Sequence, residues 1–143
     1  MRVLLDTDIL LDSLLQRTPW HVESDEILRR AAAGEVDLVV VSLTLANLFY
    51  VGRRIVGTER ARSEVRRIAM TFEVLPVDRQ TILEADTLPG ADFEDNIQMA
   101  ATKTASLEAI VTRNTQDFSA STIPAWTPVE LLGHLESQPT TRH

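Results

Sequence analysis

The sequence predicts an α/β fold of three layers, with helices on both faces of a mostly parallel central sheet, and three observations predict it. Short runs rich in valine and leucine, RVLLD (2–6), DLVVVS (37–42), FEVLPV (72–77) and EAIVT (108–112), are too short for helices and read as buried strands. Amphipathic stretches of helical period lie between them. Each connection is long enough for a crossover, as parallel neighbours require.

The first strand stops at Asp6, and DILLDSLL (8–15) continues as a short helix. Pro19 opens the next element, a helix from about Trp20 to Ala33 with Val22, Ile27, Leu28 and Ala31 on one stripe and Gly34 as its stop. The second strand leads into LTLANLFYVGRRI (43–55), with Ser42 as the expected N-cap and Leu43, Ala46 and Tyr50 as the expected core stripe.

After Gly57 an arginine-rich helix runs to about Met70, with Ala61, Val65, Ile68 and Ala69 on its apolar side. The third strand is followed by a helix from about Asp78 that closes at Pro89-Gly90. DFEDNIQMAATKTA then places Phe93, Ile97, Ala100, Ala101 and Thr104 on one stripe, and the fourth strand follows. A short last strand, Ala125 to Thr127, and the helix PVELLGHL complete one domain over residues 1–136. From Ser137 to His143 the chain is polar and reads as a frayed tail.

At 143 residues, 44% of them hydrophobic, the chain is long enough to bury a core without covalent staples. It has no cysteine, and His21, His134 and His143 lack ligand spacing, which excludes disulfides and thiolate or histidine zinc sites. Asp6, Asp8 and Asp12 interrupt the N-terminal apolar run, so neither an export signal nor a membrane span is expected, and the expected setting is cytoplasmic.

Net charge is −7, the wrong sign for holding nucleic acid by overall attraction. The charge is nevertheless segregated. Residues 53–67 carry six arginines against two glutamates, a local +4 that leaves −11 on the rest of the chain. This stretch reads either as a solvated helix face or as a phosphate-binding rim, with Arg60 and Arg66 as candidate contacts.

In open parallel sheets, ligands sit at the carboxyl ends of the strands. That rule selects Asp6 after strand one, Thr112, Asn114 and Asp117 after strand four, and Asp92 and Asp95 at the start of the preceding helix. At about 100° per residue Asp92 and Asp95 lie about 60° apart, whereas Glu94 turns about 100° or more from each and is expected in solvent. Carboxylates without histidine or cysteine suit hard ions such as Mg2+ or Mn2+. Each acid also has a plain structural reading. Asp6 and Asp92 are placed as helix caps, Asp95 as a partner of the helix dipole, Asp117 as a turn residue and Thr112 as a strand-end cap.

Together the segments VLLDTDILLD, VSLTLANLFYVGRR, FEVLPVD, DFEDNIQMAA, IVTRNTQDF and IPAWTPVELL resemble PIN domains, in order and spacing, over residues 2 to 132. The resemblance implies a ribonuclease similar to VapC toxins, with Mg2+ or Mn2+ held by Asp6, Asp95 and Asp117 and with Asp92 as an additional acid. It also implies an RNA substrate, a cognate antitoxin protein and a homodimer, for which Trp20, Phe49 and Tyr50 are candidate contacts. Many such nucleases carry a glutamate early in the third helix, where this chain has Asn47, and some carry an acid where it has Asn114. Asn47 and Asn114 are therefore expected to orient ligands or substrate as neutral groups. A catalytically silent PIN module that binds RNA or a protein partner is the alternative. A phosphoacceptor receiver domain would need a late lysine that does not appear in the right order.

Overall fold

The computed structural model describes residues 1–138. Its elements follow the order β1 (Arg2–Leu5), α1 (Thr7–Leu14), α2 (His21–Ala32), β2 (Asp37–Val41), α3 (Ser42–Val56), α4 (Thr58–Thr71) and β3 (Glu73–Leu75). After these come α5 (Arg79–Asp86), α6 (Phe93–Thr102), β4 (Ala109–Val111), a 3-10 turn (Thr115–Phe118), β5 (Ala125–Trp126) and α7 (Pro128–Ser137). Ser137, expected to begin a frayed tail, is the last residue of α7, and residues 139–143 of that tail lie outside the described residues.

The five strands form one sheet in the order β3-β2-β1-β4-β5, and every pairing is parallel. Alternation along each strand buries both faces. Val3, Leu5, Leu38, Val40, Ala109 and Val111 pack into one core with side chains of α1, α2, α3, α4 and α7. Leu4, Val39, Val41 and Ile110 face the other way, onto Met99, Ala101 and Phe118. The result is the three-layer arrangement that the sequence predicts.

The chain winds outward from β1 through β2 to β3, then returns through α5 and α6 to place β4 on the other side of β1. The order therefore reverses between β1 and β4, the position where such sheets open a crevice at their carboxyl ends.

Several local expectations are corrected. Ser42 is the first helical residue rather than a cap, and its Oγ accepts from the Val77 amide at 3.1 Å. The buried ridge of α3 is Thr44, Leu48 and Gly52, while Ala46 and Tyr50 are exposed. Glycine favours the choice: a Cβ at Gly52 would stand 2.8 Å from Leu14 Cδ2 and force the buried Leu14 side chain to shift, so glycine lets α3 approach α1 along this ridge without it. On α4, Ala61 and Ile68 are buried but Ala69 is exposed. Of the stripe expected on α6, Phe93 is exposed and Thr104 lies exposed beyond the end of the helix, while burial runs without a break from Asn96 to Thr102 because the helix is covered beyond a single stripe.

Candidate functional site

The alternation that turns Leu4 toward α6 also turns the next residue but one, Asp6, and on β4 it turns Ile110 and then Thr112 the same way. The three side chains of Asp6, Thr112 and Gln98 meet there. Gln98 of α6 donates from Nε2 to Asp6 Oδ1 at 3.0 Å, and Thr112 donates from Oγ1 to Asp6 Oδ2 at 2.9 Å. Asp6 is only 6% exposed, and its side chain makes no capping bond to α1. Its carboxyl is raised above the ordinary carboxylate range, first by burial and further by the Asp8 charge, while the bonds from Gln98 and Thr112 oppose the rise. Gln98 orients uniquely, since reversing its amide would set oxygen against oxygen.

Beside Asp6 stand Glu94 and Asp95 of α6, and beside Asp95 stand Asp92 and Asp117. Asp92 caps α6, its Oδ1 accepting from the Asp95 amide at 3.2 Å. Asp95 is half-buried, and its carboxyl is pushed up to about 7 by burial and by the charges of Asp6, Asp92, Asp117 and Glu94. Asp92, Asp95 and Asp117 line one open groove of about 360 Å³, with Gly90 and Gln116 beside them. Glu94 is also half-buried, which corrects its expected place in solvent. It accepts from Asn47 Nδ2 of α3. Burial and then the Asp6 charge raise its carboxyl, against a hydrogen bond from Thr7.

The structure thus brings together Asp6, Asp92, Asp95, Asp117, Asn47 and Thr112 in contact or in mutual electrostatic reach. Thr112 does more than cap its strand, because its Oγ1 bonds Asp6 while accepting from the Asn114 amide at 3.1 Å. The Asn114 side chain is exposed. Arg60 and Arg66 are exposed on α4 and do not line the acidic groove. Arg66 instead borders a separate groove with Phe49 and Tyr50, between α3 and α4.

Sequence reasoning missed Gln98 and Glu94, and it missed the clasp on the next residue of the loop. Arg113 Nε pairs with fully buried Asp12 Oδ2 of α1 at 2.8 Å, and its guanidinium lies 4.1 Å from the centre of the Trp20 ring. Thr112 and Arg113 therefore hold the loop from opposite sides, one on Asp6 and one on Asp12. A glutamine inside the apolar run of α6 was the readable signal, since a buried amide needs a partner.

Residues 2–116 match the sequence model of the PIN domain. The chain belongs to the PIN domain family. Among curated proteins none matches it in sequence. Solved structures share the fold at low identity. The toxin–antitoxin complex from Klebsiella pneumoniae is 23% identical with a TM-score of 0.64, over 88% of this chain and 97% of that one. VapBC2 from Rickettsia felis bound to a promoter DNA fragment is 15% identical with a TM-score of 0.63, over 89% and 98%. The sarcin-ricin loop cleaving toxin VapC20 from Mycobacterium tuberculosis is 13% identical with a TM-score of 0.61, over 76% and 86%.

The donors of this PIN domain are all oxygens, a chemistry that suits a hard divalent ion, and their mutual repulsion is what such an ion would relieve. As the side chains lie, no three acids or histidines among the described residues converge closely enough to chelate one ion. The donor set fits the ion, and the shell is open. No helix among the described residues is long and apolar enough to cross a membrane.

Proposed function

We propose that this PIN domain is a divalent-metal-dependent endoribonuclease, acting in the cytoplasm as the toxin of a toxin–antitoxin pair. The observation that carries the reading is the half-buried Asp95, whose carboxyl is raised to about 7 by burial and four neighbouring acids at the sheet's switch point. A structural cap would not gather its own repulsion in this way.

Asp6, Asp95 and Asp117, with Asp92 beside them, would hold Mg2+ or Mn2+. The ion would lower the pKa of a bound water and offset charge developing on a phosphodiester. Gln98 and Thr112 keep both Asp6 oxygens aimed and favour its charged form despite burial. Asn47 and Asn114 contribute neutral hydrogen bonds, the first to Glu94 and the second from an exposed position suited to substrate. Arg60 and Arg66 offer phosphate contacts outside the groove. RNA cleavage with manganese, abolished by chelation and by Asp6→Asn, tests the reading; cleavage that survives both would end it.

The groove between α3 and α4, lined by Phe49, Tyr50, Arg62 and Arg66, is a surface suited to a cognate antitoxin, a partner that the complexes from Klebsiella pneumoniae and Rickettsia felis support by analogy of fold. Exposed Tyr50 and Trp20 also support a homodimer. Light scattering that gives a mass near the 16.0 kDa monomer at micromolar concentration would count against the dimer. The open shell favours one second reading, a silent module that binds RNA or protein without metal. A thermal shift with manganese separates the two, because only a bound ion stabilises the folded chain.

A further inference from the structure

Glu94 is an acid that the helical wheel assigns to solvent and that the fold turns inward. Its oxygen meets the Asn47 amide across the gap between α6 and α3, and its charged neighbours are Asp6, Asp92 and Asp8. Among the described residues no arginine or lysine is within ion-pair distance of it, whereas Glu26, Glu64, Glu73 and Glu84 each pair with one. Among the described residues the donors that hold it, Asn47 and Thr7, are neutral. A half-buried carboxylate kept among like charges by neutral groups is poorly placed to stabilise the empty fold. It is well placed to receive a cation.

We infer that Glu94 is a further carboxylate of the metal site, presented toward Asp6 by the side-chain amide of Asn47. The inference rests on the metal-dependent reading above. It gives Asn47 a role that an acid at that position could not fill: a carboxylate on α3 would repel Glu94, whereas the amide donates to it and adds no charge. The site thereby keeps an acid on the α3 side, supplied from α6. Glu94 and Gln98 are four residues apart on one face of α6, so a single helix carries both the added charge and the group that aims Asp6.

The competing account makes Glu94 a hydrogen-bond partner that fastens α6 to α3. Glu94→Gln separates the two, because glutamine keeps the reach and the acceptor oxygen but loses the charge. By calorimetric titration, manganese affinity of Glu94→Gln should fall at least about tenfold, and the metal-free variant should melt no lower than the parent, since repulsion is removed. The double variant Asn47→Glu with Glu94→Gln returns one carboxylate to the same gap from the opposite helix and should recover most of the lost affinity. If the parent binds manganese, Asp6→Asn abolishes binding and Glu94→Gln binds as the parent does, Glu94 is no ligand while the metal reading stands. If the parent itself binds no manganese, both fall together.

Discussion

At the scale of single residues, the acidic groove makes a forecast that distinguishes function from helix capping. The Asp95 carboxyl, ordinarily near 3.8, is raised to about 7 in the fold. Between those values the unfolded chain has ionised while the folded chain still holds the proton, so raising the pH through this window favours unfolding. The metal-free protein should therefore lose stability from about pH 4 to about pH 7, and Asp95→Asn should flatten that slope. At pH 8 without metal the variant should be more stable by about 1–2 kcal/mol, once partial solvent screening is allowed for. A helix-dipole role forecasts the opposite sign, a loss of about 0.3–1 kcal/mol. Urea unfolding at several pH values decides, and a destabilised variant at pH 8 would remove Asp95 from the repelling cluster. Asp6, Asp92, Asp95 and Asp117 were legible in sequence because each sits where a strand ends or a helix begins. Glu94 was not, since the wheel gives only its angle and says nothing of α3 covering that angle. Gln98 carried a readable signal, an amide within an apolar run, but its partner lies 92 positions away and could not be read from spacing.

At the scale of elements, the loop before α6 is fixed by packing against its own helix. Asn96 Nδ2 donates to the carbonyls of Leu88 at 3.3 Å and Gly90 at 3.1 Å, and a Cβ at Gly90 would stand 2.3 Å from Asn96 Oδ1. Gly90→Ala must push that amide away and disturb both bonds. A loss of about 1–3 kcal/mol is expected from the overpacking. Because the same loop leads into Asp92, manganese affinity should weaken as well; a variant of unchanged stability would show that the loop yields freely. The sequence pattern located every strand and helix to within a few residues, since both sheet faces are buried and the breakers Pro19, Gly57 and Pro89-Gly90 fall between elements. It misread which side of α3 is buried. Periodicity ranks stripes by apolar content, and Leu43, Ala46 and Tyr50 outrank Thr44, Leu48 and Gly52. Close approach to α1 selected the smaller set, and the Thr7 and Thr44 hydroxyls, 3.0 Å apart, satisfy each other within it.

At the scale of the whole molecule, acids collect at the switch point of the sheet and arginines on α4, a separation already visible in the linear charge pattern. Arg60, Arg62, Arg66 and Arg67 are all exposed. Arg67 pairs with Glu64, whereas among the described residues the other three have no acid within ion-pair distance. The unpaired cations of α4 can hold phosphates in a protein whose net charge of −7 otherwise repels RNA. Changing all four arginines to serine should therefore weaken RNA binding and flatten its salt dependence by roughly 0.7 in log–log slope for each phosphate no longer neutralised. Stability should change little, because exposed substitutions away from packing typically stay within about 0.5 kcal/mol each. Asp95→Asn is the matching control: under the proposed mechanism it should abolish cleavage with metal, yet with both proteins compared in the absence of divalent ions it should leave the salt slope as it is, since no arginine is touched. A quadruple variant with the parent's slope would return α4 to an ordinary solvated face.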